Sequence, residues 1–83
     1  MKPLTPNNLH KYNGTVYWGI DIAHIVGVTV NRISIEWEDD IHPPETYVWD
    51  GTKYVIIDSK EIRPILVWTL CIRNNKIYSI GSA

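Results

Sequence analysis

The chain has no phenylalanine, one methionine and one cysteine in its 83 residues. Cys71 alone can form no intramolecular disulfide, so cross-links do not set the fold. No apolar run approaches the roughly 20 residues of a membrane span, and nothing resembles a signal peptide. A soluble, cytoplasmic protein with no membrane association is expected. Basic groups are also scarce where they would matter for a polyanion. Between Asp21 and Glu45 Arg32 stands alone against Asp21, Glu36, Glu38, Asp39, Asp40 and Glu45, and the formal net charge is −1. That balance runs against the Lys and Arg contacts from which nucleic-acid binders draw most of their affinity.

What is present is aliphatic and β-branched. Thirteen Ile and seven Val build the interior, and every aromatic is Tyr or Trp, with a polar handle suited to half-exposed positions. Residues 1–83 form one domain, with material for one compact core. Residues 1–14, MKPLTPNNLHKYNG, favour turns through Pro3, Pro6 and Asn13-Gly14 and are expected to form an extended N-terminal arm. Thr15 to Trp18 can form a short strand.

The central stretch runs from Asp21 to Trp37. At helical spacing, Ile22, Ala23 and Val26 form one short apolar face, and Val30, Ile33 and Trp37 form a second. Gly27 between them can take a left-handed helix-ending conformation, and Thr29 can cap the second helix. Two short helices at a sharp turn are the expected result. The competing signal is ISIEW, where Ile33, Ile35 and Trp37 alternate with Ser34 and Glu36, as in a half-buried strand. On that reading the protein is a small all-β, SH3-like barrel.

Downstream, Pro43 and Pro44 exclude a continuing helix. Thr46 to Trp49 and Lys53 to Ile57 read as strands joined around Asp50-Gly51. From Asp58 or Ser59 a third helix can start, with Ile62, Ile65, Leu66, Thr69 and Leu70 on one face. A hairpin about Asn74-Asn75, with Ile72 opposite Ile77, is the alternative for residues 63–83.

In order, Ile22, Ala23, Gly27, Val28, Thr29, Ile33, Trp37, Pro43, Asp50-Gly51 and Ser59-Lys60-Glu61-Ile62 make residues 17–62 resemble the small MerR-like and phage excisionase-like winged-helix domains. The resemblance implies an α+β winged helix-turn-helix core over residues 15–62, with a β-hairpin wing. It also implies a non-catalytic DNA-binding role: a recombination directionality factor, or a transcription regulator of a phage or mobile element. Thr29, Asn31, Arg32 and Ser34 would then face double-stranded DNA from the second helix, and Thr52, Lys53 and Tyr54 from the wing. An integrase, a polymerase or self-association would supplement the few basic groups. The alternative function is a small protein-interaction or inhibitor module that binds no DNA and uses its Tyr/Trp surface and acidic loop.

No cofactor is expected. His10, His24, His42 and Cys71 lack zinc-ligand spacing, and Glu36, Glu38, Asp39 and Asp40 lack the alternation of a calcium loop, so no metal site is expected either. Asp58-Ser59-Lys60 matches half of a metal-dependent nuclease motif, but Asp58 and Ser59 serve better as a helix cap and no enzyme is expected. Cys71 lies in an apolar run without a local histidine and reads as core.

Overall fold

The computed structural model describes residues 2–57 and 67–82. Its elements are β1 (Lys2–Pro3), a 3₁₀ turn (Leu9–Lys11), β2 (Thr15–Trp18), β3 (Asp21–Val28), β4 (Arg32–Trp37), β5 (Glu45–Trp49), β6 (Tyr54–Ile56), β7 (Val67–Arg73) and β8 (Lys76–Ser82). From β2 to β8 each strand pairs with the next in sequence, except that β7 also takes β1 along part of one edge. A parallel seam between β8 and β2, with Val16 opposite Ile77, closes a seven-strand barrel.

No α-helix is present among the described residues, which corrects the winged helix-turn-helix expectation in favour of the all-β barrel. The reason lies in side-chain periodicity. Ile33, Ile35 and Trp37 are buried at 0, 0 and 7% exposure, whereas Ser34 is half-buried and Glu36 is exposed. A strand puts all three apolar residues on one face, and a helix cannot. In the first expected helix, Ala23 is buried but Val26 is 56% exposed, so the helical face of Ile22, Ala23 and Val26 does not exist. Gly27 is absent from the residues with positive φ and forms part of a β-bulge instead of a helix end.

The other turns follow their residue chemistry. Asn74 and Asn75 have φ of 52° and 61°, the consecutive left-handed pair of a tight hairpin, and place Ile72 opposite Ile77. The hairpin alternative therefore holds there, and Thr69 and Leu70 are adjacent residues of β7, not one helical face. Asp50-Gly51 joins β5 to β6 as expected, but that hairpin is part of the barrel wall and not a wing. Asp58, Ser59, Lys60, Glu61, Ile62, Ile65 and Leu66, which carried the third helix and the nuclease half-motif, lie outside the described residues.

The interior is formed by Leu4, Val16, Ala23, Ile33, Ile35, Trp37, Tyr47, Tyr54, Trp68, Leu70, Ile72 and Ile77. The N-terminal stretch belongs to it: Leu4 is fully buried and its N–H donates to the Leu70 carbonyl at 3.0 Å. Outside the closing seam, Tyr17 and Tyr78 pack at 5.7 Å between ring centroids, and the Lys76 ammonium sits 5.4 Å from the Tyr17 ring. Aromatic and cation–π contacts thus cover this parallel pairing.

Candidate functional site

β4 spans the barrel and separates two differently equipped ends, with Arg32 at one and Trp37 at the other. At the Arg32 end the β3–β4 and β5–β6 turns lie together. The Trp49 N–H donates to the Asn31 carbonyl at 2.8 Å, and the Thr29 N–H to the Arg32 carbonyl at 2.9 Å. Asp50 Oδ1 accepts from the Thr52 N–H, the Thr52 hydroxyl and the Lys53 N–H at 2.8, 2.9 and 2.9 Å. These three donors hold the Asp50 carboxyl below the usual carboxylate range, the Thr52 and Lys53 backbone N–H groups first.

This arrangement brings most of the expected DNA-facing residues to one end, on turns and not on a helix. Thr29, Asn31 and Arg32 are exposed on the β3–β4 hairpin, and Thr52 and Lys53 are exposed on the neighbouring turn. Ser34 is half-buried on β4. Tyr54 departs from the expectation, because it is 1% exposed with its ring 5.3 Å from Trp49. Burial pushes its phenol up, and the side chain is core.

The same hairpin carries the main apolar exposure of this end. Val26, Val28 and Val30 are 56, 52 and 92% exposed. β2 covers β3 only as far as the Thr15–His24 pair, and the bond from the Ile25 N–H to the Gly14 carbonyl, 2.8 Å, closes that seam. Beyond it β3 pairs with β4 alone among the described residues, through a bulge between Ile25 and Gly27. From Ile22 to Asn31 there is no Asp, Glu, Lys or Arg. Natural sheet edges are usually blunted by charge, and among the described residues this one is blunted only by the bulge.

The Trp37 end is aromatic and acidic. Trp18 lies edge-on to Trp37, Trp68 and His42, at centroid distances of 6.2, 5.3 and 5.3 Å, and His42 lies 5.2 Å from Trp37. The loop after β4 folds back on Asp39, whose carboxylate accepts from the Ile41 and His42 N–H groups at 3.0 and 2.8 Å and contacts His42 Nδ1 at 2.7 Å. The His42 backbone N–H, then its side chain, hold the Asp39 carboxyl below the usual range. Asp21, at the start of β3, joins the group: one ligand atom each from Asp21, Asp39 and His42 lie within 4.8 Å of one another. Spacing along the chain gave no signal for this set, because it is assembled by the β2–β3 hairpin and the β4–β5 loop. His24 and Glu38 pair separately on the surface, Nε2 to Oε2 at 2.5 Å.

Below the aromatic end lies a buried polar group. The Tyr47 hydroxyl is 3.1 Å from Glu45 Oε1 and 2.9 Å from Ser79 Oγ, with all three residues at 2% exposure or less. A shallow groove of about 410 Å³ lies between Lys2, Tyr12, Ile72, Arg73, Asn74 and Asn75. Among the described residues no helix is long and apolar enough to cross a membrane. Compared with family models, curated proteins and solved structures, the chain matches none.

Proposed function

We propose that this barrel is a non-catalytic protein-interaction module that takes up an extended, aliphatic segment of a partner protein as an added strand beside β3. The observation that carries this reading is the edge of β3 beyond His24, where pairing with β2 stops and Val26, Val28 and Val30 stand exposed in an uncharged stretch. An added strand meets both needs of such an edge: its backbone supplies hydrogen-bond partners, and alternate side chains cover the valines. The uncharged character of the stretch favours an aliphatic occupant, since a charged one would be desolvated without a counter-charge.

A partner segment fits better than a second copy. In a symmetric pairing of two β3 strands the bulge between Ile25 and Gly27 would recur on both sides of the axis, and each would remove a ladder position. A free segment can adjust to one bulge. Duplex recognition by a helix in the major groove has no element to perform it among the described residues, and the charge balance gives it no separate support.

The test is selection of binders from a displayed random-peptide library, followed by amide chemical-shift mapping on the labelled protein. The expected outcome is enrichment of peptides with alternating Val, Ile or Leu, shifts concentrated at Ile25 to Val28, and loss of binding in Val26→Lys. Burying one valine stabilises by about 1.5 kcal/mol, so Val26→Thr should weaken binding about tenfold. Shifts centred elsewhere, a β3-mediated homodimer, or retention of random duplexes at low salt without any enriched peptide would overturn the proposal.

A further inference from the structure

The Trp37 end gathers two carboxylates and one imidazole into a single cluster. Asp21 is half-buried at the start of β3, directly across the β2–β3 hairpin from Trp18. Asp39 is fixed from the opposite side by the Ile41 and His42 N–H groups. The His42 side chain is 10% exposed, with its ring held between Trp18 and Trp37, so Nδ1 is directed at Asp39. With the ligand atoms of all three within 4.8 Å, the two carboxylates repel one another unless positive charge sits among them.

We propose that Asp21, Asp39 and His42 form a binding site for one divalent first-row transition-metal ion, with Zn²⁺ as the probe. Two carboxylate oxygens and one imidazole nitrogen are a borderline donor set that suits Zn²⁺. Ca²⁺ and Mg²⁺ prefer oxygen ligands throughout and are the discriminating controls. The 2.7 Å contact between Asp39 Oδ2 and His42 Nδ1 is a hydrogen bond, and opening it to the roughly 3.3 Å between two donors on a tetrahedral ion admits the metal. Binding then displaces the shared proton, and water completes the coordination. The aromatic walls exclude bulk water from one side, and the backbone donors on Asp39 Oδ1 orient its carboxylate as supporting groups do around metal ligands.

The experiment uses untagged full-length protein stripped with a chelator and titrated with ZnCl₂ by calorimetry, with tryptophan fluorescence recorded in parallel because His42 abuts Trp18 and Trp37. Saturable, equimolar binding is expected, with a fluorescence change and a raised Tm, while CaCl₂ and MgCl₂ at the same concentration leave both signals unchanged. Asp21→Asn retains size and fold and weakens Zn²⁺ binding by at least about tenfold; His42→Gln abolishes it. His24→Gln, which alters the other surface His–carboxylate pair, leaves it intact. The proposal is overturned by the absence of saturable binding, by binding unchanged in both Asp21→Asn and His42→Gln, or by loss of binding in His24→Gln.

Discussion

The hydroxyl oxygens of Tyr47 and Ser79, 32 residues apart in the chain, meet at 2.9 Å inside the barrel and join β5 to β8 across its interior. Tyr47 has one hydroxyl proton, and with that proton donated to Glu45 Oε1 at 3.1 Å, Ser79 is the donor to Tyr47. The direction of this relay sets what its loss costs. Tyr47→Phe removes a donor from Glu45 and an acceptor from Ser79, both 2% exposed, and should destabilise the protein by about 1–3 kcal/mol. Ser79→Ala leaves the Tyr47–Glu45 bond and should cost less. Urea unfolding of the two variants checks the order; equal or reversed losses would contradict it.

Ile35 and Glu36 separate the strand from the helix experimentally. Ile35 is fully buried and faces Glu45 across the β4–β5 ladder, while Glu36 is exposed. Ile35→Ala should lose about 2–5 kcal/mol, and Glu36→Ala should stay within about 0.5 kcal/mol of the parent. On a helix whose buried face is Val30, Ile33 and Trp37, Ile35 would point outward and its truncation would be nearly silent. Denaturant midpoints for this pair of variants decide the matter.

Those residues also mark how far the fold was legible. The alternation from Ile33 to Trp37, the Asp50-Gly51 hairpin and the Asn74-Asn75 hairpin are local signals, and each corresponds to an observed strand or turn. Gly27-Val28-Thr29 is ambiguous, because a glycine between two apolar clusters fits a helix end and a β-bulge equally well in sequence. The β-branched residues around it favour the strand. Barrel closure through Val16 and Ile77 was beyond local reading, since it pairs strands from opposite ends of the chain. The same holds for Asp21 beside Asp39 and His42, and for the β3 edge, which exists only because β2 ends before β3 does.

Gly27 and Gly51 should respond oppositely to alanine. Gly51 has φ of 107°, a conformation that L side chains rarely adopt, although a Cβ there would meet nothing within 4 Å. Gly51→Ala should therefore cost about 1–3 kcal/mol through backbone strain alone. Gly27 has no positive φ, and its added Cβ would lie 3.9 Å from the Ser34 Cβ, an ordinary contact. Gly27→Ala should be tolerated, with a gain of up to about 1 kcal/mol from the stiffer unfolded chain. Had Gly27 ended a helix in the left-handed region, alanine there would be the costly change. Thermal unfolding of both variants reads the difference directly.

Asp50 gives the β5–β6 turn an acid limit. Three donors from Thr52 and Lys53 favour its charged form, so its folded pKa lies below the ordinary value of 3.8. A carboxyl with a depressed folded pKa binds fewer protons folded than unfolded. Its contribution is therefore complete above the unfolded pKa and is lost as pH falls through the folded one. In Asp50→Asn the side chain keeps an oxygen acceptor but cannot titrate. The stability difference between parent and variant should be constant above about pH 5 and shrink steadily towards about pH 2. Asp39, also depressed, titrates in both proteins and cancels from the difference. Urea unfolding across that range tests the linkage, and a difference that does not change with pH would show that the turn holds Asp50 no more tightly than the unfolded chain does.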